Sequence, residues 1–191
     1  MLKKNKILVL IASLLLVLVY FFPIWQISLE APQYPEGLGL YIWVDKITGE
    51  NPNDLRTLNG LNHYIGMKEI NPESIPELKI IPYVIAFFMI SGLGIAYKGN
   101  EKWIIAWILL FVIAGFIGIY DFYQWEYDYG HNLNPNAPIK VPGANYQPPL
   151  LGSKQLLNIK AISSPYIGSI IIFASIILVW FAQFSESKRN K

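Results

Sequence analysis

The chain has 191 residues, of which 53% are hydrophobic, 15% aromatic and only 15% charged, with a net charge of +2. Soluble domains carry about 25% charged residues, and a chain this apolar cannot stay solvated and disordered either. There is no cysteine, which excludes disulfides, c-type haem attachment, zinc ribbons, iron–sulfur clusters and thiol nucleophiles.

Four apolar stretches follow in chain order: Ile7 to Phe22, Ile80 to Tyr97, Trp103 to Tyr120 and Tyr166 to Phe184. With their flanks, each reaches the about 20 residues that a helix needs to cross roughly 30 Å of hydrocarbon, and none carries a charge in its middle. The first run, behind Lys3, Lys4 and Lys6, also fits a cleaved signal peptide. Its exit, Phe21-Phe22-Pro23-Ile24-Trp25, lacks the small residues of a cleavage site, so an uncleaved anchor is expected. The expected fold is an all-α membrane protein with four transmembrane helices at residues 7–24, 80–97, 103–120 and 166–184. Segments 25–79 and 121–165 would form a small extracytoplasmic cap of short strands and helices. Segments 1–6, 98–102 and 185–191 would be cytoplasmic.

The orientation rests on the cations. The ends and the short loop hold Lys3, Lys4, Lys6, Lys98, Lys102, Lys188, Arg189 and Lys191, whereas the two long segments hold most of the carboxylates. The positive-inside rule then places both termini in the cytoplasm and both long segments outside. The five-residue connection after Tyr97 forces the second and third spans into a hairpin. Gly92 with Ala96, and Ala114 with Gly118, have the small-residue spacing that lets helix backbones approach. The spans lack the mid-membrane ionisable groups that pumps, voltage sensors and ion transporters use.

In the first outer segment, prolines at 32 and 35 favour extended chain. From Gly37 to Asp45, Leu38, Leu40, Ile42 and Val44 alternate with Tyr41, Trp43 and Asp45, the pattern of a half-buried strand. Thr48 to Pro52 reads as a turn. Asn53 is placed to cap a short amphipathic helix carrying Leu55, Leu58, Leu61 and Ile65 and ending at Gly66. The second outer segment opens with Phe122, Tyr123, Trp125, Tyr127 and Tyr129, read either as an aromatic belt at the headgroups or as a partner-binding surface. Prolines recur from Pro135 to Pro149, a loop. Gln155 to Ile162 reads as a strand or short helix, and a strand there could pair with Leu38 to Val44.

Both histidines, His63 and His131, fall in the outer segments, and Met67 stands four residues after His63. On one helical turn His63 and Met67 would face the same way. Imidazole and thioether together suit Cu(I) better than zinc or iron, and His131 would be a third ligand if the segments meet. Gly66 could instead end the helix and turn Met67 aside, leaving the imidazoles as structural polar groups. Metalloprotease, phosphate-loop and nucleophile-elbow motifs are missing, so no catalytic residue is assigned. Glu126 and Asp128, on an extended chain, would share a side as acid and base or as a solvated acidic rim. A nucleic-acid role is not expected.

The segment from Phe22 to Leu38, with His63-Tyr64-Ile65-Gly66-Met67 and Gln155-Leu156-Leu157-Asn158-Ile159-Lys160, resembles the NosB-type membrane proteins of clade II nitrous oxide reductase gene clusters. That resemblance covers nearly the whole chain and carries no catalytic residues. It implies a bacterial inner-membrane accessory to a periplasmic copper enzyme, assisting copper delivery, maturation or electron supply. The alternatives are a metal-free anchor or scaffold that docks a protein through Tyr123, Trp125, Tyr127 and Tyr129, or a quinol-interacting accessory subunit.

Overall fold

The structure, a computed structural model, describes residues 1–143 and 145–189; Ala144, Asn190 and Lys191, the last counted above among the inside cations, lie outside the described residues. Helix α1 (Lys3–Leu15) tightens into a 3-10 segment, Leu16–Phe21, before the chain leaves the bundle. Strands β1 (Trp25–Ala31), β2 (Tyr34–Ile42) and β3 (Ile47–Gly49) follow, then α2 (Asp54–Ile65). The long helices α3 (Glu77–Lys98) and α4 (Lys102–His131) form the hairpin that the short connection demanded. Strands β4 (Gly152–Leu156) and β5 (Ile159–Pro165) lead directly into α5 (Ile167–Arg189).

Among the described residues, four helices are long and apolar enough to cross a membrane. They surround a core of Val9, Ala12, Leu16, Phe88, Ile104, Trp107, Phe111 and Val179, with α1 packed between α3 and α5. Gly92 works as its spacing suggested: a Cβ there would stand 2.2 Å from Ser13 Oγ, so only glycine lets α1 and α3 come this close. Gly118 has open space around it, so of the second small-residue pair only Ala114 packs against the core.

The all-α expectation is corrected by a five-stranded antiparallel sheet of order β3-β2-β1-β5-β4. The proposed pairing of the two outer segments is realised with different partners. Strand β5 pairs with β1, from Trp25↔Pro165 to Glu30↔Lys160, while β2 lies on the far side of β1. The reason is visible in Trp25-Gln26-Ile27-Ser28-Leu29-Glu30-Ala31. Its apolar residues alternate strictly and bury one face, with Trp25, Ile27 and Ala31 inside. Leu29, on the same face, packs against the cluster that holds Leu38 and Leu40 of β2, Leu58 of α2 and Tyr129 of α4. The outer face carries the Lys160–Glu30 ion pair at 3.1 Å. A bundle-facing hydrogen-bond cluster fixes the sheet to the helices: Ile24 O accepts from Tyr166 N at 2.9 Å and from Ser169 Oγ at 2.6 Å. Gly168 N donates to Pro23 O at 2.7 Å, an approach that a Cβ on Gly168 would obstruct.

Because one sheet draws strands from both long connections, these sit at the same end of the bundle. At the other end, Leu2 N and Asn5 Nδ2 donate to Glu186 Oε1, and Gly99 in the short loop lies against Lys6.

A second difference concerns α4. The aromatic stretch after Tyr120 is helical to His131, giving 30 residues. At about 1.5 Å per residue, such a helix measures about 45 Å, against roughly 30 Å of hydrocarbon. Residues 121–131 therefore continue beyond the apolar span as a rigid post beside the sheet.

Candidate functional site

Helix α2 ends as its sequence proposed, with Gly66 in the left-handed conformation at φ 83°. Asn53 precedes the helix without a side-chain capping bond. Asp54, the next residue, does the polar work instead: its Oδ2 accepts from Gly39 N at 3.0 Å, Asn51 N at 3.0 Å and Asn51 Nδ2 at 3.2 Å, tying α2 to β2. After Gly66 the chain runs back along α2. Asn59 clamps it by donating from Nδ2 to Ile70 O at 3.1 Å and accepting from Ile70 N at 2.8 Å, while Asn62 Nδ2 donates to Lys68 O at 3.3 Å.

This return brings His63 and Met67 onto the wall of one cleft of about 880 Å³, which Arg56, Asn59, Glu69 and Glu73 also line. Gly66 does end the helix, yet Met67 stays on the cleft. His63 is exposed and its ring meets Tyr64 edge-on at 5.9 Å, whereas Met67 is half-buried against the cap core. His131 is not part of this lining. Its ring stacks on Tyr127 at 4.0 Å, and its Nδ1 is 3.1 Å from Tyr127 O. The segments that carry the two histidines do meet, through Asn134 N donating to Gly66 O at 2.7 Å and Ile139 N to Tyr64 O at 2.9 Å. Among the described residues, no three His, Cys, Asp or Glu side chains gather closely enough to hold a metal ion; His63 and Met67 are the soft donors that share a surface.

The helical form of 121–131 sorts the aromatic residues. Trp125 and Tyr129 turn inward, their rings 4.3 Å apart, and Tyr129 Oη donates to Glu69 O at 3.2 Å. Tyr123 and Tyr127 turn outward and are exposed, so they are the members of the proposed partner surface that a partner can reach. Asp128 accepts from Lys68 Nζ, and this bond, with a second from Asn132, holds its carboxyl below the usual carboxylate range.

Glu126 departs from both readings of the acidic pair. It is neither beside Asp128 on an extended chain nor on a solvated rim; it is fully buried. Burial alone pushes its carboxyl up to about 8. The signal was present in the spacing of Phe122, Trp125, Glu126 and Tyr129, the i, i+3, i+4, i+7 rhythm of one helix face.

A comparison with protein-family models finds no match, and a comparison with curated proteins finds none either.

Proposed function

We propose that this chain is a membrane-embedded accessory protein whose cap serves a partner on the extracytoplasmic side, and that the His63–Met67 cleft is a transfer point for Cu(I). The observation that carries the reading is that imidazole and thioether, separated by a helix end, still line one open cleft beside a rigid post with an exposed aromatic face. Two soft donors on an accessible wall leave coordination positions for a partner's ligands, which suits handing a Cu(I) ion on rather than storing it. Tyr123 and Tyr127 supply rigid aromatic anchors for such a partner. Resemblance to NosB-type proteins supplies the system: maturation of, or delivery to, a periplasmic nitrous oxide reductase, with the bilayer of a bacterial inner membrane as the setting.

The test is a competition titration of the purified full chain against a chromogenic Cu(I) chelator. His63→Ala combined with Met67→Ala is expected to weaken Cu(I) retention at least tenfold, roughly 1.4 kcal/mol, while His131→Ala leaves it unchanged. Equal retention by the double variant and the parent chain would remove the site.

A further inference from the structure

The described part of the molecule contains other buried acids, but they are provided for. Asp54 accepts the three hydrogen bonds given above, and Glu186 accepts from Leu2 N and Asn5 Nδ2. Glu126 is different: it has no exposed surface, and neither Oε1 nor Oε2 has a hydrogen-bond partner.

Its place along α4 gives this burial a mechanical meaning. Residues 122, 126 and 130 lie in one row at four-residue spacing. At the lower end of the row, the Phe122 ring meets Trp25 of β1 edge-on at 5.5 Å. At the upper end, Gly130 lies directly against the Gln147 backbone, where a Cβ would stand 2.3 Å from Gln147 N, and its carbonyl accepts from Tyr146 N at 3.0 Å. Glu126 is thus enclosed between two of the contacts that hold the post to the rest of the cap.

The charged groups of the surrounding elements are engaged elsewhere. On α4 itself, Asp128 pairs with Lys68, and Asp121 lies near Glu77 at the foot of the post. From the sheet, Lys160 pairs with Glu30 on the outer face, and Lys154 donates to Asn145 Oδ1 and Gln147 O. Tyr129 Oη donates to Glu69 O, and the buried Tyr146 hydroxyl from the facing segment has no partner. An ionised carboxylate enclosed without a cation or a donor costs several kcal/mol. Taking up a proton removes most of that cost.

We propose that Glu126 is a proton-binding site that latches the α4 post to the sheet: the neutral acid is sealed in, and losing its proton requires the post to part from β1 and the 145–150 segment and admit water. The sign follows from linkage. An opened, hydrated Glu126 reverts to the ordinary carboxylate range, while burial raises the closed state to about 8. Between these limits the closed state holds one more proton than the open one. Closure is therefore strongest at and below the ordinary carboxylate range, weakens as pH rises, and levels off above about 8. The latch depends on the packing of the cap and not on the metal or orientation proposed above.

Hydrogen exchange on the full chain in lipid nanodiscs, corrected for the intrinsic pH dependence of exchange, tests it on peptides covering Trp25–Ala31 and 145–150. Between pH 6 and pH 8 the parent chain should lose protection about fiftyfold, the tenfold per pH unit of a one-proton opening, flattening as the pH reaches the closed-state value. Glu126→Gln, neutral at every pH, should stay protected throughout. A parent profile that is flat, or that Glu126→Gln reproduces, overturns the latch. Infrared spectroscopy gives a check that does not depend on the variant folding: the parent chain at pH 7 should show the carbonyl stretch of a protonated carboxylic acid, and its absence would also overturn the proposal.

Discussion

The helix bundle and the cap solve the same problem, burying a polar backbone, in opposite ways. In the bundle, the buried serines are satisfied close to home, Ser13 Oγ donating to Val9 O at 2.8 Å and Ser175 Oγ to Ile171 O at 3.0 Å, both within one helical turn, while bonds such as Trp107 Nε1 to Phe88 O at 3.1 Å join neighbouring helices. In the cap, the bonds reach across the chain. Asp54 holds Gly39, Asn59 holds Ile70, and Trp25 Nε1 donates to Ser163 Oγ at 2.7 Å, a link between residues 138 apart in sequence. Hydrocarbon offers no solvent to repair an unmet bond, so membrane helices must be complete in themselves and then dock through shape. A water-facing cap can bind loops together with side chains, because water satisfies what the side chains do not.

If that contrast is right, the two regions should fail by different substitutions. The largest effect is expected at Gly92. Gly92→Val drives side-chain atoms into Ser13 and should force α1 from α3, costing about 3 kcal/mol or preventing assembly. Gly94→Val, with open space around it, should leave the detergent-solubilised chain's thermal midpoint within a degree or two of the parent. Similar losses from both would show that α1 and α3 are not held by close approach. A smaller effect is expected in the cap: Asp54→Ala leaves Gly39 N and Asn51 N without their acceptor, costing about 2 kcal/mol. That loss should appear as faster hydrogen exchange confined to β2, β3 and the start of α2. Exchange that quickened equally in α1 and α3 would mean that cap and bundle are a single cooperative unit.

The same contrast explains what could be read from the sequence. The four long apolar helices were legible because an apolar run of sufficient length is a local feature. Leu38 and Leu40 announced their strand, and Gly66 announced the end of α2, for equally local reasons. The sheet as a whole was not legible, since its central pairing joins Trp25–Ala31 to Ile159–Pro165 and no local pattern names a strand's partner. The alternation in Trp25 to Ala31 was nevertheless plain; it was obscured by following so closely on the apolar run that ends at Phe22. The same proximity hid the post: aromatic residues after a span suggest a headgroup belt, and only the spacing of Phe122, Trp125, Glu126 and Tyr129 reveals that the helix continues. At the candidate site, the return of Met67 to the His63 wall depends on Asn59 and Asn62 clamping the chain after Gly66, which no spacing rule encodes.

The central claim is that both long connections form one cap on the outward face of a cell membrane. The absence of native cysteine makes it directly measurable with three single substitutions at exposed positions: Glu73→Cys, Asn136→Cys and Asn100→Cys. A membrane-impermeant maleimide applied to intact spheroplasts is predicted to label the first two and to reach Asn100→Cys only after permeabilisation. Labelling of Asn100→Cys in intact spheroplasts, or of just one of the other two, would contradict the account.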